Sequence, residues 1–195
     1  MGTLLRVAVG LLVAFALGCE PPRSAKPIGA PAPFDKRLSG VWSARLGGGS
    51  DALLEIAPHA GGADFLLVGT DESGLIPLHF DLTPGEVGGV HYWNLREKRM
   101  AGWFSEKFDL GADYVFVKWQ LGKSGKLTLW YMDDEPAKRA IEAGTLAGTT
   151  GPDFVRITDE PAKILEMAAK ADPQKLWTKL ATFHRAKITF PRTPP

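Results

Sequence analysis

The chain predicts a mainly β fold, an antiparallel barrel of about eight strands with α-helices of the C-terminal third packed on it. Three observations point there. Short apolar or alternating runs fill residues 39 to 133 and are separated by Gly, Pro and Asp, the pattern of successive strands joined by tight turns. Near residue 159 the apolar spacing changes from two to three and four, as on helices. Tyr114 to Leu121 is apolar on both faces, with Val115, Val117, Trp119 and Leu121 on one and Tyr114 and Phe116 on the other, so this strand needs cover outside as well as inside.

The chain opens with Arg6 and the apolar run Val7 to Leu17, a short charged lead and apolar stretch that read as a secretory signal, too short to span a bilayer. Ala16-Leu17-Gly18-Cys19 resembles the lipobox of bacterial lipoproteins. The resemblance implies cleavage after residue 18, diacylglycerol on the Cys19 thiol, and attachment to a membrane through acyl chains. Each buried methylene of such a chain contributes about 0.8 kcal/mol, so several chains on one residue hold a protein without a spanning helix. Cys19 is the only cysteine, so no internal disulfide competes for it. Glu20 stands where Asp retains enterobacterial lipoproteins in the inner membrane, so the resemblance implies the outer membrane, facing the periplasm. Residues 19–34 are rich in Pro and Ala without apolar periodicity and read as an extended, solvated tether. Residues 35–195 suit a single domain.

Within that domain the expected strands are Gly40 to Leu46, Ala52 to Ala57, Asp64 to Gly69, Ile76 to Thr83, Val87 to Leu95, a weaker one near Ala101 to Phe104, Tyr114 to Leu121 and Lys126 to Met132. Gly47 to Ser50, Gly61-Gly62, Glu72 to Gly74, Pro84-Gly85 and Lys123 to Gly125 supply the turns. Ile76, Leu78, Phe80 and Leu82 alternate with Pro77, His79, Asp81 and Thr83, as in a half-buried strand. A helix is expected from Pro136 to before Gly144, and a short extended run over Thr145 to Thr149. Two C-terminal helices follow, each opened by Asp and Pro: one after Asp159 with the stripe Ile164, Met167, Ala168 and Ala171, the other after Asp172 with Leu176, Trp177, Leu180, Phe183 and His184. Ala186 to Phe190 adds a last short strand.

Phe34 to Trp42, with Gly40-Val41-Trp42 at its end, is similar to the opening of lipocalins, where Gly-x-Trp begins the first barrel strand. Ala112-Asp113-Tyr114 is similar to a second lipocalin signature, with Ala112 in place of the usual Thr. Arg156, after Phe154-Val155, stands where lipocalins place an arginine over the Trp. The resemblance implies that Trp42 and Arg156 close one end of the barrel, a cation on an indole contributing about 0.5 to 2 kcal/mol.

Catalytic signatures are missing from the sequence. Gly122-Lys123-Ser124 lacks the earlier glycine of a phosphate loop, and there is neither a Gly-x-Ser-x-Gly elbow nor a Ser-x-x-Lys at a helix start. His79 and Asp81 share a strand face, but nothing nearby completes a metal site, and Asp133 to Glu135 fits helix capping better than calcium. No cofactor is implied. With 23 basic and 22 acidic residues interspersed, the chain lacks the basic surface a nucleic acid requires. The aromatic inventory is the better lead: Trp93, Trp119, Trp130 and His91 are the candidate ligand-binding residues, in a barrel either filled with side chains or arranged around an apolar molecule. The expected function is a membrane-anchored periplasmic binding module for a lipid or small apolar ligand. The alternatives are a non-catalytic structural or interaction protein with a solid barrel, and an envelope hydrolase.

Overall fold

A computed structural model describes residues 21–45, 51–71, 74–98, 111–152 and 154–186. The signal, the lipobox with Cys19, the weak strand near Trp103, all of the final short strand but Ala186, and Gly47 to Ser50 lie outside the described residues.

The strands in chain order are β1 (Arg23–Ser24), β2 (Ala30–Pro31), β3 (Gly40–Arg45), β4 (Asp51–His59), β5 (Gly62–Asp71), β6 (Gly74–Val87), β7 (Val90–Glu97), β8 (Tyr114–Leu121), β9 (Leu127–Met132), β10 (Gly148–Thr150), β11 (Val155–Ile157) and β12 (Trp177–Arg185). The helices are α1 (Asp134–Glu142), α2 (Pro161–Lys170) and the single turn α3 (Pro173–Leu176), and a 3-10 turn covers Lys36–Leu38. β3 through β9 pair antiparallel with their neighbours in sequence, and β12 enters between β9 and β3, closing an eight-stranded antiparallel barrel of lipocalin-like layout. Closure removes the open edges that a flat sheet exposes.

The interior is filled. Trp42, Leu54, Phe65, Phe80, Trp93, Leu129 and Phe183 belong to one cluster of buried side chains inside the barrel. Phe65 meets Trp93 edge-on at 5.6 Å between ring centroids. β8 needs cover on both faces and has it: Val115, Val117 and Trp119 point inward, while Phe116 joins Tyr92 and Met132 under Ala137 of α1, Ile164 of α2 and Leu176 of α3. The Asp caps form as expected at two helices, Asp133 accepting from the Glu135 N–H at 3.2 Å and Asp172 from the Gln174 N–H at 3.0 Å. At α2 the capping position is Glu160, without a side-chain cap. Asp159 instead accepts from the Ala147 and Glu160 N–H groups, both at 2.9 Å.

Three expectations change. The second C-terminal helix is one turn, after which residues 177–185 form the closing strand β12. The spacing of Leu176, Leu180 and Phe183 fits a helix, but Ala181 and Phe183 also alternate inward, and the free edges of β9 and β3 both gain a ladder from a strand there. A register shift between Lys179 and Ala181 accommodates Leu180. The β6–β7 turn lies at Gly88-Gly89, both with positive φ as a two-residue hairpin needs, and not at Pro84-Gly85. Gly85 serves a different purpose, since a Cβ there would stand 2.4 Å from the Ile28 carbonyl oxygen.

That contact belongs to the third change: residues 21–34 are a strap against the barrel, not a solvated tether. β8 pairs with β9 only from Val117 onward, leaving Tyr114 and Val115 without a partner on that side; Ser24 and Arg23 of β1 occupy it. β1 in turn pairs in parallel with β11, and β2 pairs with Gly85 and Glu86. Ile28 is buried in the outer cluster with Tyr92 and Phe116. Its N–H donates to Asn94 Oδ1 at 2.7 Å, and its carbonyl accepts from Asn94 Nδ2 at 3.1 Å. A Pro-rich segment suits this role because its residues already favour extended backbone.

Candidate functional site

The β7–β8 ladder runs from Arg96↔Tyr114 to His91↔Trp119 and ends there. Beyond it the two strands follow different partners. β7 turns through Gly88-Gly89 toward β6, while β8 stays with β9 to Leu121↔Leu127. Gly89 and Val90 thus separate from Gln120 and Leu121, leaving a half-open cleft of about 480 Å³. That is the size range of small-molecule sites.

Trp119 forms the inner wall. Its ring stacks on His91 on one side, centroids 4.9 Å apart and planes 21° apart, and on Trp93 on the other at 5.6 Å and 24°. Trp119 is 8% exposed, and its indole N–H has no hydrogen-bond partner among the described residues. His91 is exposed, its Nδ1 3.4 Å from Glu86. Glu86 is its register partner on β6, a carboxylate neighbour that the sequence did not bring beside it. Trp130 lines the outer side, and the Lys118 ammonium lies 4.9 Å from its ring centroid and 5.1 Å from that of Trp177. Burial lowers the Lys118 pKa, with no carboxylate contributing to the shift. Arg37 of the 3-10 turn borders the cleft, its guanidinium held by Asp35 at 2.7 Å.

Three of the four expected ligand residues, His91, Trp119 and Trp130, therefore line one cleft, and Trp93 backs Trp119 from inside the barrel. Lys118 and Arg37 were missed. The available signal for Lys118 was that it is the only charged residue in the aromatic run from Tyr114 to Leu121.

The expected Trp42–Arg156 pair does not form. Trp42 is buried at the end of the barrel where the 3-10 turn sits, its indole N–H donating to the Leu38 carbonyl at 2.8 Å. The cation over its ring is Arg185 of β12, 4.2 Å from the centroid, which also donates to the Ser39 and Arg37 carbonyls. Gly40 makes room for it: φ is +111°, and a Cβ would stand 2.7 Å from the Arg185 guanidinium. Arg156 instead grips the buried Asp113 with two hydrogen bonds, 2.5 and 2.9 Å.

Two other histidines have carboxylate partners. His79 faces Asp64 and His59 faces Asp81, each at 3.2 Å, so His79 and Asp81 share no site. Among the described residues no three His, Cys, Asp or Glu side chains gather as metal ligands. His184, expected at a helix end, is exposed on β12. A second hollow of about 500 Å³ lies between α1 and α2. Its lining holds Arg139, Lys163 and Lys170 against one carboxylate, Glu166, which pairs with Lys170 at 2.7 Å and Lys163 at 3.4 Å. Comparison with protein families, curated proteins and solved structures finds no match to this chain.

Proposed function

We propose that the protein is a non-catalytic binding module of the bacterial cell envelope, anchored through acyl chains on Cys19 and facing the periplasm from the outer membrane, that takes a small apolar molecule between β7 and β8. The supporting observation is the aromatic cleft on the barrel wall: Trp130 and His91 line it from outside, and Trp119, a member of the buried interior cluster with Trp93, Phe65 and Phe183, closes it from within. A filled barrel is a rigid support for a site on its wall, because its side chains interdigitate at close-packed density. The exposed large apolar residues among those described, Leu53, Val90 and Phe154, sit apart on three segments, which gives a purely protein-docking surface less support. Among the described residues no helix is long and apolar enough to cross a membrane, so the proposed attachment rests on Cys19. Pro21 and Pro22 are already buried, so such an anchor would hold the barrel close to the bilayer instead of spacing it away.

Two measurements test this reading. Mass spectrometry of the N-terminal peptide from the native chain should show Cys19 as the first residue with diacylglycerol on its thiol; an unmodified thiol overturns the anchor. The full chain carrying Cys19→Ala, exported and purified without detergent, should release a small apolar molecule on organic extraction in near-equimolar amount. Extracts indistinguishable from solvent, with no saturable uptake of added apolar probes, overturn the binding function.

A further inference from the structure

We infer that the cleft selects amphipathic anions, molecules with an apolar or flat body and a single acidic group. The inference rests on the binding role proposed above and specifies the ligand's chemistry. The groups lining the cleft carry no carboxylate. Lys118, Arg37 and Gln120 present N–H donors, and Arg37 is already neutralised by Asp35.

Among the described residues, Lys118 is the lining cation without a carboxylate partner. It lies half-buried against two indole rings, and rings soften the loss of hydration without supplying a negative partner. An acidic group beside it would complete a charge-assisted hydrogen bond, stronger than one between neutral groups. The neighbouring Trp119 N–H, without an acceptor among the described residues, lies buried on the barrel side of β8, so the acidic group falls to Lys118 on the outer side. The Trp130 indole and the outer face of His91, which itself covers Trp119, would receive the apolar body.

The test uses two fluorescent probes of similar size: 8-anilinonaphthalene-1-sulfonate, an anion, and N-phenyl-1-naphthylamine, which is neutral. Each is titrated into the full chain carrying Cys19→Ala without detergent. The expected result is at least tenfold tighter binding of the anion, weakening as salt is raised. Adding Lys118→Gln should weaken the anion far more than the neutral probe and so remove that preference, and Lys118→Arg should retain it. Val90→Trp, which fills the mouth from an exposed position, should weaken both probes and so place them in this cleft. Equal binding of the two probes overturns the anion preference and leaves the binding function standing. Failure of both probes to bind overturns the binding function itself, and an anion preference that survives Lys118→Gln overturns the assignment to this cleft.

Discussion

Replacing Asn94 with Ala removes the polar clamp that holds the N-terminal strap to the barrel wall. Asn94 is 1% exposed and makes three hydrogen bonds to backbone, two with Ile28 and one with the Thr83 carbonyl at 3.3 Å. Without the amide, the Ile28 N–H and carbonyl stay buried and lose these partners. Each such group costs about 1–3 kcal/mol, so the docked strap loses about 2–6 kcal/mol. The opposing gain from burying the Ile28 side chain is about 1.5–3 kcal/mol, similar in size, so the strap should detach for much of the time. The barrel is closed by its own ladders and should remain folded. Hydrogen exchange reads this directly: amide protection at Ile28 and Ala25 should fall by at least about 30-fold, while protection in β4 and β5 stays within about tenfold of its value in the parent chain. If Ile28 in the parent chain already exchanges at the solvent rate, residues 21–34 are a free tether and the strap is wrong. Unchanged protection in Asn94→Ala refutes the clamp.

Two further predictions concern the barrel. Arg185→Ala should cost about 1–3 kcal/mol in urea unfolding through loss of its contact with Trp42 and its bonds to the Ser39 and Arg37 carbonyls, and should change Trp42 emission. Arg156→Ala should leave that emission unchanged; the reverse outcome would restore Arg156 as the residue over Trp42. Hydrogen bonding to Lys98, and then to His79, holds the Asp64 carboxyl below its ordinary 3.8 despite some opposing desolvation. A depressed carboxyl stabilises the fold fully above 3.8 and loses that contribution as pH falls through its lower folded value. The Asp64 side chain is 38% exposed, so solvent screening keeps the effect within about 1 kcal/mol. Lys98→Gln should flatten the acid limb of stability against pH; an unaltered limb would show that this pair does not contribute.

The barrel strands were legible because alternation and turn chemistry are local, as in Leu78, Phe80 and Leu82 of β6. β12 was not, because Leu176, Trp177, Leu180 and Phe183 satisfy helical spacing while the choice is made by two remote edges, those of β3 and β9. The strap was hidden for a related reason. Its composition resembles a linker, yet Ile28 and Phe34 pack on the barrel's clusters, and Ile28 is held by an asparagine 66 positions away. At the site, aromatic residues announced Trp119, Trp130 and His91, but the cleft arises from the divergence of β7 and β8 beyond His91↔Trp119. No single strand carries that information, and a lone lysine on a strand ordinarily reads as solvated. Arg185 went unread over Trp42 because its strand was itself read as helix.

The most direct test of binding between β7 and β8 follows the six indole N–H signals by NMR as 8-anilinonaphthalene-1-sulfonate is added to the full chain carrying Cys19→Ala. Trp119 and Trp130 should shift most, Trp93 less, and Trp42, at the plugged end under Arg185, should stay in place. Saturable binding that leaves the Trp119 and Trp130 signals unmoved would contradict the account and place the ligand elsewhere.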